Sequence, residues 1–461
     1  MERGKRLKLL CRSISFYILG FEPLMRSQTR NSLASVEAYF HGLFKSEKKK
    51  ATCTGIADTL PNVGSQNLNH MLTDSVLDAQ ALMDAVALRA SNFFENVIHA
   101  LRAEVGLVID EVGYKKKGVK SACVGRQWLG SIGKQDNGQV AVAAVLCCGE
   151  LYSLVNQLLF MPEDWAGDVS RRKNAGIPKS VKFQTKPRMA LDMIKKAIAD
   201  KIRFGFVGFD ALYGSCFWLL DELDQIRVKF MADIRMNTGI YLSDPKPSIP
   251  EWRGKGKKPK LMKANSKRTT TETYCKALME KDWQLIAFRE GTKGDMQAYF
   301  HRKTVWIWDE EKEYAQKYVL VIRKGMEDGD IKYSLTNDHN ASLKTNAFRQ
   351  GQRYFVEKTF KEGKNQVGMG DYQVRSWDGF HRHMAICMLG LNFLMEEKHA
   401  LRPDLEFITA EDIRSMIAFM LPSKRETVDD MIRDIFKKHD EYAAQIESDR
   451  SRAKQRRKQS T

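Results

Sequence analysis

No CxxC pair occurs in this chain: its eight cysteines, at 11, 53, 123, 147, 148, 216, 275 and 387, are scattered. That argues against a zinc site and against a disulfide framework, and it fits a reducing compartment, the cytoplasm. A long unbroken apolar run is also missing. The longest, Val140 to Phe160, is interrupted by Gly149, Glu150, Asn156 and Gln157, so it reads as strand, turn and strand, and no membrane span is expected. The segment from Met1 to Pro23 is basic and partly apolar. Arg12 splits its apolar run and no small-residue cleavage site follows, so a signal peptide is not expected. Internal repeats are absent. Acidic residues are the minority: 57 Asp and Glu stand against 75 Lys and Arg, a net charge of +18. That excess favours a polyanionic partner such as nucleic acid over a membrane surface.

What is present is the balance of a globular protein, with 43% apolar and 29% charged residues over 461 positions. The length suits a catalytic domain with one or two attached modules. Val36, Tyr39, Phe40, Leu43 and Phe44 follow helical spacing, as do Met83, Val86, Phe93, Phe94 and Val97. Lys45, Lys48, Lys49 and Lys50, a turn at Pro61 to Gln66 and the segment Asn67 to Leu72 lie between them. These helices are either a DNA-reading module or a cover for the core with a solvated lysine face. From Val105 the texture changes. Val105-Gly106-Leu107-Val108-Ile109-Asp110 and Phe204 to Asp210 are apolar runs ending on a carboxylate, as buried strands do. Between them Gln139 to Cys147 and Leu151 to Phe160 are β-like and Arg188 to Ala199 is helix-like, which indicates an α/β core. A basic, Pro- and Gly-rich stretch, Pro245 to Arg268, reads as a loop. Short β-like runs follow at Trp283 to Phe288, Thr304 to Trp308, Tyr318 to Ile322 and Tyr333 to Leu335. Helical patterns return at Asn346 to Val367 and Arg382 to Lys398, and Arg450 to Lys458 is a charge run.

Among the residues that carry chemistry, carboxylates at strand ends stand out. Breaking a phosphodiester requires an activated oxygen nucleophile and relief of charge on the leaving oxygen. Two Mg²⁺ roughly 3.5 to 4 Å apart supply both, and such ions take hard oxygen ligands from few side chains. Asp110 and Asp210 each end an apolar run, and Gly113 and Gly214 follow them, leaving room for DNA. Taken singly, either is equally a helix cap or turn residue. Arg353, Glu357 and Lys364 share a helix face. A carboxylate between cations suits a phosphate, but an exposed Arg-Glu pair at i, i+4 has the same spacing. Glu111 belongs on the opposite face of its strand from Asp110, and Asp233 follows another apolar run.

The spacing of Arg353, Glu357 and Lys364 resembles the Tyr-x(2)-Arg-x(3)-Glu-x(6)-Lys signature of bacterial insertion-sequence transposases of the DDE superfamily, with Gln350 in the tyrosine position. The blocks Val108 to Gly118, Gly125-Arg126-Gln127-Trp128 through Gly133-Lys134, Asn137 to Val140, Met161 to Trp165, Arg171 to Pro178, Gly291-Thr292-Lys293-Gly294 and Gly368 to His383 are similar to one branch of that group. The resemblance covers roughly residues 35 to 400.

It implies an α/β fold with an RNase H-like core, a mixed sheet flanked by helices, carrying Asp110 on its first strand, Asp210 after a later strand and Glu357 on a helix behind a β-rich insertion. The divisions expected are 1–100, a helical DNA-binding domain; 101–240, the first part of the core; 241–340, the basic loop and insertion; 341–400, the second part of the core; and 401–461, a C-terminal helical region and basic tail. The resemblance further implies two Mg²⁺, for which Mn²⁺ can substitute, held by Asp110, Asp210 and Glu357. Arg353, Lys364, Arg126, Lys134, Lys115, Lys116 and Lys117 would grip phosphates of double-stranded DNA. Trp306 or Trp308, alternating on a basic strand, is either a receiver for a flipped base or a core residue. The activity implied is cleavage at terminal inverted repeats and strand transfer, by at least a homodimer acting on the bacterial nucleoid without membrane involvement. The rival readings are a catalytically silent DNA-binding relative and a two-metal nuclease or resolvase. His381 and His383 are not counted as ligands.

Overall fold

The computed structural model describes residues 9–448 apart from 102, 253, 255, 292–293, 310–311, 327–328 and a scatter of positions after 425. The basic run Arg450 to Lys458 and the pair Thr292-Lys293 lie outside the described residues. At the centre is strand β1 (Gly106–Lys115), whose first half is the apolar run that reaches Asp110 and whose second half continues past it. Then come β2 (Gly125–Leu129), β3 (Lys134–Cys148) and β4 (Leu151–Leu159), all antiparallel to their neighbours. Gly149, with φ of 59°, turns β3 into β4 in a conformation that a side chain resists. Strands β5 (Phe206–Phe209) and β6 (Phe230–Ile234) lie parallel to β1, with Ile109 beside Phe209 and Phe209 beside Ala232. The order β4-β3-β1-β5-β6, an antiparallel trio followed by two parallel strands, is the RNase H-like core that the resemblance implies.

Alternation along β1 assigns its two faces. Leu107 and Ile109 belong to one apolar cluster with Met189, Leu191 and Ile194 of the Lys186–Ala199 helix and Leu219, Leu220 and Leu223 of the Phe217–Gln225 helix. Val108, Val112 and Tyr114 belong to the other cluster, shared with Phe355 and Val356 of the Tyr354–Gln366 helix and with the Trp377–Leu401 helix. The N-terminal helices Leu33–Lys45 and Ser65–Asp74 bury Val36, Phe40, Leu68 and Met71 in that same second cluster. They share a core with the sheet, as the period-3.6 pattern allows but does not require.

The segment after β6 holds β7 (Gly239–Tyr241), β8 (Arg268–Thr270), β9 (Gln284–Gly291), β10 (Gly294–Ile307), β11 (Gln316–Gly325) and β12 (Ile331–Thr336). These β-like runs were legible in sequence; their placement was not. β12 pairs antiparallel with β6, so the inserted strands lengthen the central sheet to twelve strands. The helix expected over Asn346 to Val367 is two helices, Leu343–Gln352 and Tyr354–Gln366, separated at Arg353. The first is locked to the sheet by Arg349, whose side chain is 3% exposed. Its guanidinium meets Glu104 at 2.7 Å and Asp338 at 2.9 Å. Among the described residues no helix is long and apolar enough to cross a membrane.

Candidate active site

Parallel register brings the acids to one level, although only Asp210 directly follows the end of its strand: β1 continues past Asp110 to Lys115, held by its pairing with β3, so the strand does not end on that carboxylate as expected. Because Ile109, Phe209 and Ala232 are neighbours across β1, β5 and β6, the next residue on each chain, Asp110, Asp210 and Asp233, lies on the same rung and the same face. That face carries the Tyr354–Gln366 helix and therefore Glu357. Asp110 Oδ1 accepts the Glu111 backbone N–H at 2.8 Å. Asp210 Oδ1 caps the short Ala211–Gly214 helix by accepting from Leu212 and Tyr213 N–H at 2.9 and 3.4 Å. The cap reading of Asp210 is thus realised, and its second oxygen is left for other work.

Glu111 is not turned away as the pleat alone demands. Its carboxylate, with those of Asp110 and Asp210, offers oxygens that all lie within 4.8 Å of one another. The pairing of β1 with β5 stops at Ile109 while that with β3 continues, so β1 has no strand neighbour on the β5 side there and the longer Glu side chain rounds that edge. Lys186 holds it at 3.0 Å. Burial and the facing Asp210 push Asp110 up to about 7, and burial raises Glu111. Hard oxygen donors that repel one another in a half-buried pocket fit a divalent cation.

Arg353, at the break between the two helices, ties this cluster to the remaining acids. Its Nε lies 3.1 Å from Asp233, and its two terminal nitrogens 3.6 Å from Asp110 and 3.7 Å from Glu357. Asp233 also accepts from Ser334 Oγ at 2.6 Å, and Ser334 accepts from Gln350 Nε2 at 2.8 Å. The hydrogen bond follows from topology, since Ser334 of β12 is directly opposite Asp233 of β6. Gln350, in the tyrosine position of the signature, is therefore buried one helical turn before Arg353 and linked to it through Ser334 and Asp233. Asp233 follows an apolar run as Asp110 and Asp210 do; that signal was visible, and only the tertiary pairing shows its use.

The other expected residues separate into groups. Glu357 is 65% exposed and, among the described residues, is tied to the inner acids through Arg353. Lys364 donates to the Gly113 carbonyl at 2.9 Å, and burial lowers its pKa. Lys115 pairs with Asp136 at 2.7 Å. Lys116 turns inward, donating to the Tyr372 carbonyl at 3.0 Å with its amine 3.2 Å from that ring's centroid, and burial lowers it to about 7. Lys117, Arg126 and Lys134 are exposed. Trp306 is half-buried, with the Lys317 amine 5.8 Å from its ring. The cleft of about 1170 Å³ that opens from Asp210, Asp233 and Arg353 is lined instead by Trp283, which sequence reasoning did not single out.

The glycines expected to leave room for DNA are filled by protein: a Cβ on Gly214 would lie 1.9 Å from the Asp233 carbonyl, and one on Gly113 2.9 Å from Leu129. His381 and His383 are buried and neutral. Desolvation brings them down to about 4 and about 3, and His383 Nδ1 pairs with Tyr39 Oη at 2.8 Å.

Comparison with known proteins places the chain in a family. The probable transposase for insertion sequence element IS701 from Microchaete diplosiphon is 34% identical over 202 residues, 43% of this chain. The matched region spans 48% of that curated relative, about half its length. The family described as DDE superfamily endonuclease matches residues 21–295, a stretch that includes Asp110, Asp210 and Asp233 and stops before Glu357. With that match over more than half of its length, the chain belongs to the DDE superfamily endonucleases.

Proposed function

We propose that this protein is a transposase that binds the terminal inverted repeats of its element in double-stranded DNA, cuts the strand ends and joins them to target DNA in the cytoplasm. The observation that carries the reading is the same-rung cluster of Asp110 and Asp210, with Asp110 pushed up to about 7 and Arg353 reaching it at 3.6 Å. Asp110 and Asp210 would hold Mg²⁺ together with Glu357, whose exposed carboxylate has room to move toward the acids. Bound there, the metal supplies a nucleophile at neutral pH and neutralises charge on the transferring phosphate.

The chain's own residues do the rest. Arg353 keeps Nε on Asp233 while its terminal nitrogens meet a phosphate, a fork that Lys could not replace. Lys364 braces β1 immediately beyond Asp110, and the exposed Lys117, Arg126 and Lys134 meet the DNA backbone. Residues 1–100 act as the DNA-binding domain and residues 241–340 as the insertion between the two parts of the core, and synapsis of two ends requires a homodimer. The test is cleavage and joining of element-end duplexes with Mg²⁺ or Mn²⁺, wild type against Asp110→Asn, Asp210→Asn and Glu357→Gln, with duplex binding measured alongside. Wild-type cutting and joining that the variants lose is expected. Cutting without joining would make the protein a nuclease, and binding without cutting a silent relative.

A further inference from the structure

Beyond the end of β1 lies a second cleft, of about 1200 Å³, away from the acids. One wall is the Ser65–Asp74 helix, with Gln66, Asn69 and Thr73 lining the space, and the other is formed by residues 116–121 and 372–376. The helix is sharply two-sided: Leu68, Met71 and Leu72 are buried, whereas Gln66 and Asn69 are exposed. It follows the Cys53–Thr59 helix after a turn over 60–64. A short helix, a turn and a second helix with its polar side outward is an arrangement that lays the second helix in a major groove.

This helix is also held rigidly. Arg382, on the Trp377–Leu401 helix, donates to the carbonyls of Leu72, Thr73 and Leu77 at 3.0, 2.7 and 2.9 Å, fixing its C-terminal end to the core. A reading side chain needs such support to be held in register.

The chemistry of the two walls is complementary to a duplex. The Gln66 and Asn69 amides each offer a donor and an acceptor, the pair that matches the adenine edge, and neither makes a side-chain hydrogen bond among the described residues. Opposite them, Lys117, Lys120 and Arg375 are exposed and carry no ion pair among the described residues. Asp74, the one carboxylate lining the cleft among the described residues, sits at the far end of the helix. The major groove of A-form RNA is too deep and narrow for side chains to read, so DNA is the duplex that fits.

Resting on the transposase reading, we propose that this cleft is where the protein reads DNA sequence, with Gln66 and Asn69 on base edges and Lys117, Lys120 and Arg375 on phosphates. Its distance from the chemistry follows from the strand. From Asp110 to Lys115, where β1 ends at the edge of the cleft, the chain runs about five residues at roughly 3.3 Å each, some 17 Å, or about five base pairs at 3.4 Å. The base pairs read lie roughly five to ten from the phosphate beside Asp110.

Selection from a pool of duplexes with a randomised centre tests this, using the full chain and its variants. Wild type should enrich a motif containing A·T pairs. Gln66→Ala or Asn69→Ala should relax preference at one or two of them by roughly five- to a hundredfold. Gln66→Arg should move its preferred pair to G·C. Lys117→Ala, Lys120→Ala and Arg375→Ala should instead weaken binding to all sequences alike, each lowering the salt slope by about one. An unchanged motif in the Gln66 and Asn69 variants, or no motif for wild type, overturns the proposal. Metal-dependent nicking of the same pool by wild type leaves the transposase reading standing in either case, whereas neither binding nor nicking sinks both.

Discussion

The acid cluster and the basic cleft are served by one strand, yet they are built on opposite physical terms. At Asp110 the chain is paired with β3 and has just left its pairing with β5, the carboxylates share a rung, and each charge is felt by its neighbours because water is largely excluded. Past Lys115 the chain leaves the sheet, and Lys117 and Lys120 stand in solvent where each works nearly alone. The same loop shows the boundary between the regimes: Lys116, one residue from Lys117, is folded onto Tyr372 and lowered to about 7. Coupled buried groups give chemistry, and independent exposed ones give affinity.

That contrast is sharpest in the size of the effects expected. Asp110→Asn or Asp210→Asn should reduce metal-dependent cleavage by roughly a thousandfold or more, because several kcal/mol of charge stabilisation is removed. Binding of duplex should change little, and a parallel loss of binding in a gel-shift titration would erase the distinction drawn here.

Next in size is Arg349→Ala, which strips Glu104 of its cation and leaves Asp338 with Lys229 alone, 3.0 Å away. Loss of about 3 to 5 kcal/mol in urea unfolding is expected. Asp233→Asn frees Nε of Arg353 while keeping the shape of the pocket, so turnover should fall roughly tenfold to a hundredfold, the usual cost of losing a supporting partner. KM for DNA should move less than kcat, and equal changes in both would count against Asp233 as an anchor.

The remaining effect is a pH dependence of stability rather than of turnover. Folded Asp110 titrates near 7 against a reference of 3.8, so between these values the native state holds a proton that the unfolded chain has lost. Metal-free protein should therefore lose stability as pH rises from about 4 to about 7, a decline absent in Asp110→Asn and reversed by Mg²⁺ at pH 8. His381 and His383 act in the opposite sense. Held at about 4 and about 3 against a reference of 6.5, they bind protons only on unfolding and remove stability as pH falls below 6.5. Melting temperatures across pH for wild type and Asp110→Asn separate the two contributions.

Much of this was legible in order along the chain. The apolar runs ending at Asp110 and Asp210 are strands, the β-like runs after 283 are strands, and the Arg353-Glu357 spacing is helical. Less legible was what depends on neighbours in space. Glu111 rounds a strand edge only because β5 ends early, Lys116 points inward only because Tyr372 lies beneath it, and Asp233 meets Arg353 only because β12 adds to β6. Trp283, just before β9, and Trp306, on β10, look alike in sequence as aromatic residues of the insertion, and their different surroundings follow from how the inserted strands join the sheet.

The sequence by itself determined the elements and the residue types available to the site, because hydrophobic period and strand-end carboxylates are local properties. Only the tertiary structure decided which acids share a rung, which cations are spent inside the fold and which are left for DNA. Those outcomes depend on register and burial, and both arise from contacts between segments far apart in the chain.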